Sequence, residues 1–318
     1  MTTVGDVKKA LDSLDVTKLS SDHPINWVSS LEAPKANTIC FATRWNETLV
    51  DAISNNPATL FLVPIGASKV VFESGNCLSV DNPRLAYAII AKRFFEETRK
   101  TGTSPTARVE AGAVIGHDVY LGNNVVIESG ARIGSGTSID HNTVIHSGVV
   151  LGQDVIVGAN SVIGSIGFGL ERDSNGVPFR IPHLGGVTVG DEVEIGSCCT
   201  VARGTINDTV LEDQVKLDDH VFVGHNVQVR RAAYLTAGTV TCGSADIGKR
   251  AWIAPGSVVI NKARVGDDVM LGLASVVVND LPAEPEQVQR SHRKSKTHSG
   301  SNSTDYPLRS GLPIPPAD

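Results

Sequence analysis

From Val109 onward an aliphatic residue returns at every sixth position: Ile115, Leu121, Ile127, Ile133, Ile139, Ile145, Leu151, Val157 and Ile163. Gly follows it at Ile115, Leu121, Ile133, Leu151, Val157 and Ile163. Two residues before most beats stands a small or β-branched residue, as at Val125, Ala131, Thr137, Thr143, Val149, Val155 and Ser161. A spacing of two puts both residues on one face of a short strand. The glycine and two polar residues after the beat then supply a corner, with glycine expected there for an unusual φ. Three hexads close a triangular coil with its aliphatic side chains inside, and stacked coils pair their backbones about 4.8 Å apart. The pattern predicts a parallel β-helix.

The beat resumes at Val189, Ile195 and Val201, slips by four residues, and runs from Leu211 to Val277. That makes about eight coils and about 40 Å of prism. Residues 166–186 and 207–210 interrupt the beat. An insertion in a solenoid has to leave the prism as a loop, and loops on a rigid scaffold often carry binding.

Residues 1–104 lack the beat and predict a small α/β domain. Residues 6–14 and 83–97 read as amphipathic helices, the second with Leu85, Ile89, Ile90 and Phe94 at helical spacing, and short β runs such as 59–64 lie between them. The hexad domain is expected over 105–280 and an irregular tail over 281–318. Its residues 287–305, rich in Ser, Lys and Arg, are expected to be disordered.

Composition narrows the function classes. Of the 318 residues 41% are hydrophobic, only 5% are aromatic and 31 are Gly, which favours repetitive β structure over a helical bundle. A net charge of −6 gives no general reason to bind nucleic acid or an anionic membrane surface. Five cysteines without CxxC spacing argue against a disulfide framework or a structural zinc site. Without a signal-peptide pattern or an apolar run near the roughly 20 residues that span a bilayer, a cytoplasmic protein with no integral membrane segment is expected.

Histidine suits general base work near neutral pH. His225 follows Gly224 at a corner, so its imidazole should point out of the prism. His117 and His141 occupy the same hexad position, and geometry alone does not choose among the three.

Three segments carry a resemblance. Gly167-Phe-Gly-Leu-Glu-Arg-Asp-Ser-Asn-Gly-Val-Pro-Phe-Arg-Ile-Pro182, Ile195-Gly-Ser-Cys-Cys-Thr-Val-Ala-Arg-Gly204 and Lys216-Leu-Asp-Asp-His-Val-Phe-Val-Gly-His-Asn-Val227 resemble the UDP-3-O-(3-hydroxyacyl)glucosamine N-acyltransferases of lipid A biosynthesis. These belong to the left-handed β-helix acyltransferases. The segment Ile39-Cys-Phe-Ala-Thr-Arg-Trp-Asn-Glu-Thr-Leu49 looks like that family's uridine-binding segment.

The resemblance implies a homotrimer that moves an acyl group from a carrier-protein thioester to the amine of a UDP-linked amino sugar, without metal or redox cofactor. It selects His225 as the base and Gly243, one coil later, as the backbone donor to the oxyanion. Arg203, one coil earlier, could hold the imidazole neutral, or else form an ion pair with Asp208 or Asp219. Phe41 and Trp45 would stack on the uracil. Phe168, Phe179 and His183 would shape the cleft for the pantetheine arm or acyl chain.

The chain also departs from the family. Asn261-Lys262 stands where the family often has a second histidine, leaving Lys262 to contact a phosphate or carboxamide, and Ala202 replaces an Asp. The helices that usually end the family are not expected from this sequence, and a basic run, 290–296, is read in their place. The runner-up is therefore a short-chain N-acyltransferase using acyl-CoA on another nucleotide-linked amino sugar. A minor alternative is a zinc hydrolyase of the hexapeptide carbonic anhydrase type, since His141/His146 and His220/His225 share the His-x4-His spacing.

Overall fold

In a computed structural model, residues 2–11, 22–65, 76–283 and 288–289 are described. The chain divides into two compact units, residues 1–99 and 100–318.

The first unit is a four-stranded parallel sheet, Trp27–Val28, Thr38–Phe41, Leu60–Pro64 and Cys77–Val80, paired in that order. Alternation along the strands sends Ile39, Leu60, Leu62 and Leu78 to one face and Cys40, Phe61, Val63 and Cys77 to the other. The helices Val4–Ala10 and Pro83–Phe94 supply Val4, Val7, Ala86 and Ile90 to the first core. The helix Glu47–Asn55, which the sequence reading missed, covers the second core with Leu49 and Ile53. Asn82 caps the helix that begins at Pro83, its side chain accepting from the Leu85 N–H. The expected apolar face of this helix is corrected: Pro83, Ala86 and Ile90 are buried, whereas Leu85 is 56% and Ile89 41% exposed.

The second unit is mainly β, a left-handed parallel β-helix whose three faces are sheets of ten, nine and eight strands among the described residues. Successive coils pair eighteen residues apart, Ile127 with Ile145 and Ile145 with Ile163. Val109 and Ile115 at the open end are exposed and half-buried, whereas from Leu121 onward the beat residues are buried, and so are the residues two before them. Thr137, Thr143 and Ser161 are among the latter, and their hydroxyls donate to the carbonyls of Gly152, Gly158 and Gly196. Pairing begins at Gly102–Thr103, before the residue at which the sequence reading started the prism, and includes Val288–Gln289 against Met270–Leu271. The latter pair corrects the expected disorder at those two residues. The rest of 287–305, with the basic run 290–296, lies outside the described residues.

The reason for the corner glycines is also corrected. The left-handed residue is the third after the beat, as at Asn124, Asn142 and Asn160 with φ of 57°, 59° and 59°. Of the glycines directly after the beat, Gly164 does adopt the expected positive φ, 92°, whereas Gly116, Gly122, Gly134, Gly152 and Gly158 serve close stacking instead. A Cβ at Gly158 would lie 2.6 Å from the Gly196 carbonyl carbon, and one at Gly134 would collide with the Gly152 carbonyl. Since each coil rests on the next, Ile145→Ala is expected to lower stability by about 2–5 kcal/mol, read as a fall in the urea midpoint.

Both interruptions leave the prism without breaking it. Val149 pairs with Val187, and Val187 with Thr209, so each inserted length is absorbed outside the sheet. The first insertion folds as an antiparallel hairpin, Leu170–Arg172 with Pro178–Arg180, closed by a turn in which the Asp173 carboxylate accepts from the Asn175 and Val177 N–H groups.

Candidate functional site

The three corner histidines lie on three different edges. His117 follows a strand of the eight-stranded sheet, His141 one of the ten-stranded sheet and His225 one of the nine-stranded sheet. Only the His225 edge also carries Arg203 and the base of the 166–186 loop, because Val201 pairs with both Val223 and Ile163.

His225 is partly exposed, and its tautomer is set by its neighbour. The Asn226 Oδ1 accepts from the Thr205 N–H at 3.1 Å and the Thr205 hydroxyl at 2.9 Å, while its Nδ2 donates to the Asn207 carbonyl. That orientation leaves Oδ1 facing His225 Nδ1 at 3.1 Å, so Nδ1 carries the proton and Nε2 keeps its lone pair.

Gly243 lies directly against the ring. A Cβ there would sit 2.6 Å from both Cε1 and Nε2 of His225. At several corners of the other two edges the N–H is capped by an Asp one coil later, Ser197 by Asp219, Asp191 by Asp213 and Lys249 by Asp267, and on the His225 edge Ser129 and Ser147 are capped by Glu one coil earlier. The residue one coil after Gly243 is Asn261, and the Gly243 N–H finds no acceptor among the described residues. A bare imidazole nitrogen beside a free N–H can accept a proton and stabilise an oxyanion in one event.

The loop walls the ring from the other side. Gly167 is buried between the two imidazoles: a Cβ there would lie 2.5 Å from His183 Nε2 and 2.8 Å from His225 Cβ. Arg180 donates to the Gly167 carbonyl and stands over the Phe168 ring, 5.6 Å from its centroid.

Known proteins resemble this chain over most of its length. Residues 130–165 match the model of the bacterial transferase hexapeptide (six repeats). The UDP-3-O-acylglucosamine N-acyltransferase of Delftia acidovorans is 38% identical over 243 residues, covering 75% of this chain and 72% of the relative. The enzyme of the same name from Saccharophagus degradans is 40% identical, covering 69% and 68%. The chain belongs to this family. The UDP-3-O-acylglucosamine N-acyltransferases are acyltransferases, and this chain is one by descent. A solved structure, the UDP-N-acetylglucosamine O-acyltransferase of Moraxella catarrhalis, shares the fold: its TM-score is 0.52 at 24% identity, over 56% of this chain and 67% of that one.

Within this N-acyltransferase chain the structure redistributes several sequence-predicted residues. Arg203 neither faces the imidazole as its partner nor pairs with Asp208 or Asp219. Its Nε and Nη2 donate to the carbonyls of Gly185 and Ser147, strapping the loop exit to the prism, while Asp208 accepts from Gly186 and Thr188 and Asp219 from Ser197. His183 does not line an open cleft; it is 7% exposed and stands edge to face with His225, 5.1 Å between centroids. Phe168 and Phe179 are exposed on the hairpin at 75% and 68%. The Lys262 N–H donates to the Gly243 carbonyl at 3.0 Å and its side chain is exposed.

In the first unit Phe41 packs on Tyr87 and lines a groove of about 470 Å³ with Ser29, Glu32, Arg44 and Asn46. Trp45 does not join it. Its indole N–H is used by the Pro64 carbonyl and its ring packs on the Leu49 and Phe61 core.

The His-x4-His spacing does not assemble a metal site among the described residues. Five intervening steps carry the chain to the next edge. His146 is paired with Glu128, and the His141 Nδ1 accepts from the Asn123 N–H.

Sequence reasoning missed Gly167, Asn226, Arg44 and Asn46. The Gly-Phe-Gly run was a visible signal for the first, because two glycines around one aromatic mark a close approach.

Proposed function

We propose that this chain catalyses N-acylation of a UDP-linked amino sugar, taking a 3-hydroxyacyl group from a carrier-protein thioester. The observation that supports it most is the His225 Nε2 lone pair, fixed by Asn226 on a ring that lies against Gly243, whose N–H is uncapped. His225 takes the proton from the attacking amine as the C–N bond forms, and Gly243 holds the oxyanion. The C–S bond then breaks, and the imidazolium returns the proton to the departing thiolate. The Phe41 groove, with Arg44 and Asn46 at its rim, suits a uracil and its attached ribose.

A long acyl chain is favoured over the short-chain CoA reading by the apolar side chains that the loop leaves exposed, Phe168, Phe179 and Leu184, the last at 82%. The Lys262 side chain, exposed on the residue whose backbone N–H binds the Gly243 carbonyl, is available to a phosphate of the donor or acceptor. Assembly as a homotrimer is supported by Tyr234 and Trp252, which stand 51% and 43% exposed on the ten-stranded face. No helix among the described residues is long and apolar enough to cross a membrane. We place the reaction in the cytoplasm, where nucleotide sugars and carrier thioesters meet.

The test is mass spectrometry of products from a panel of UDP- and dTDP-amino sugars, each offered long-chain carrier-protein and short-chain CoA donors. An amide formed only from the short-chain CoA donors would overturn the long-chain reading. The free N–H predicts a further result: Asn261→Asp supplies the kind of cap seen at Ser197, Asp191 and Lys249 and is expected to lower kcat about 10²-fold or more with the prism intact by circular dichroism.

A further inference from the structure

The proposed mechanism makes no use of the second imidazole. His183 lies on the return limb of the loop, and its Nδ1–H donates to the Ile181 carbonyl at 2.9 Å. That bond leaves Nε2 as the bare nitrogen, and this buried atom has no partner among the described residues. Gly167 and Gly169 close around it: a Cβ at Gly167 would lie 2.5 Å from Nε2, and one at Gly169 3.1 Å from Cε1. An unpaired buried acceptor is destabilising, and an apolar side chain of similar shape would avoid the penalty. Packing alone therefore does not account for a histidine here.

What the ring touches is the candidate base. Asn226 fixes the direction of His225 Nδ1, Gly243 lies against the ring, and His183 meets it at 76° between planes. We infer that His183 is a positioning residue for His225, holding that ring in its working orientation only while the His183 imidazole is uncharged. The inference rests on the acyl-transfer reading with His225 as base.

The need for the uncharged form follows from the surroundings. A proton on Nε2 would meet no acceptor, and its charge would face His225 and Arg203 on the prism and Arg180 on the hairpin. Burial holds His183 below the usual histidine range. The Ile181 carbonyl opposes that shift, and His225, Arg180 and Arg203 reinforce it. A histidine whose value is lowered in the seated loop stabilises seating fully above its free value of about 6.5. That support is lost as pH falls through the lowered value.

The test compares wild type, His183→Leu and His183→Gln in steady state with a substrate pair that wild type turns over. Both variants are expected to lose kcat, by about tenfold for Leu and less for Gln, with KM for the sugar nucleotide within about twofold. In wild type the acid limb of log kcat/KM should steepen to a slope of two, because two imidazoles must be unprotonated; in both variants it should stay at one. A kcat within twofold of wild type in both variants overturns the inference, as does a slope of two retained in either.

Histidine-selective NMR of substrate-free protein supplies an independent arm. His225 ring signals should shift and broaden in His183→Leu, and unchanged signals overturn the positioning role even if no substrate pair is found. Full turnover by His225→Ala would instead sink the base assignment. If His183→Leu does not fold, the Gln variant decides.

Discussion

His225→Ala is expected to lower the rate of amide formation by roughly 10²–10⁴-fold while leaving the chain folded and its oligomeric state unchanged. The ring stands outside the core, so its removal takes nothing from the stacked aliphatic column. Its loss deletes the group that relays the proton from amine to thiolate. KM for the sugar nucleotide should change little, because the groove at Phe41 is left untouched. A variant that keeps more than about a tenth of the wild-type kcat would remove His225 from the proton transfer.

The second large effect concerns Gly243. Alanine retains the N–H but places a methyl group 2.6 Å from Cε1 and Nε2 of His225, a separation that forces the ring aside. A displacement near 1 Å is enough for a loss of about 10²-fold, and that is the expected fall in kcat for Gly243→Ala. The cause is separable by a double variant. Combined with His225→Ala, the added methyl enters the space the ring vacated, so the pair should be no slower than His225→Ala alone. Additive losses would show that the methyl acts on something other than the ring.

The prism was largely legible in the chain because its signal is repeated: a six-residue period cannot be sustained over so many beats unless each serves the same packing. The vertical neighbours of His225 could be counted as well, Arg203 below and Gly243 above, since strand pairing fixes what stacks on what. What counting could not supply was side-chain direction within irregular segments. Arg203 sits on the expected rung, yet its guanidinium turns to two carbonyls that belong to the loop exit and to a lower coil. His183 and Gly167 are sixteen positions apart with no periodicity to link them, and only the folded hairpin brings them to one ring. Trp45 misled for a related reason: an aromatic near Phe41 on a strand end can face the groove or the core, and an indole that reaches the Pro64 carbonyl settles inside.

The hairpin departs after Ser165 on the nine-stranded face and the chain rejoins the prism at Val187 on the eight-stranded face, where its partners Val149 and Thr209 belong to coils in unbroken alignment. The wall around the imidazole is thus mounted on a chassis whose register does not depend on the length of the inserted segment. Within residues 166–186 the outward-facing positions, Phe168 and Phe179 among them, can change without moving the coils beneath, whereas Gly167 and His183 are tied to the ring they enclose.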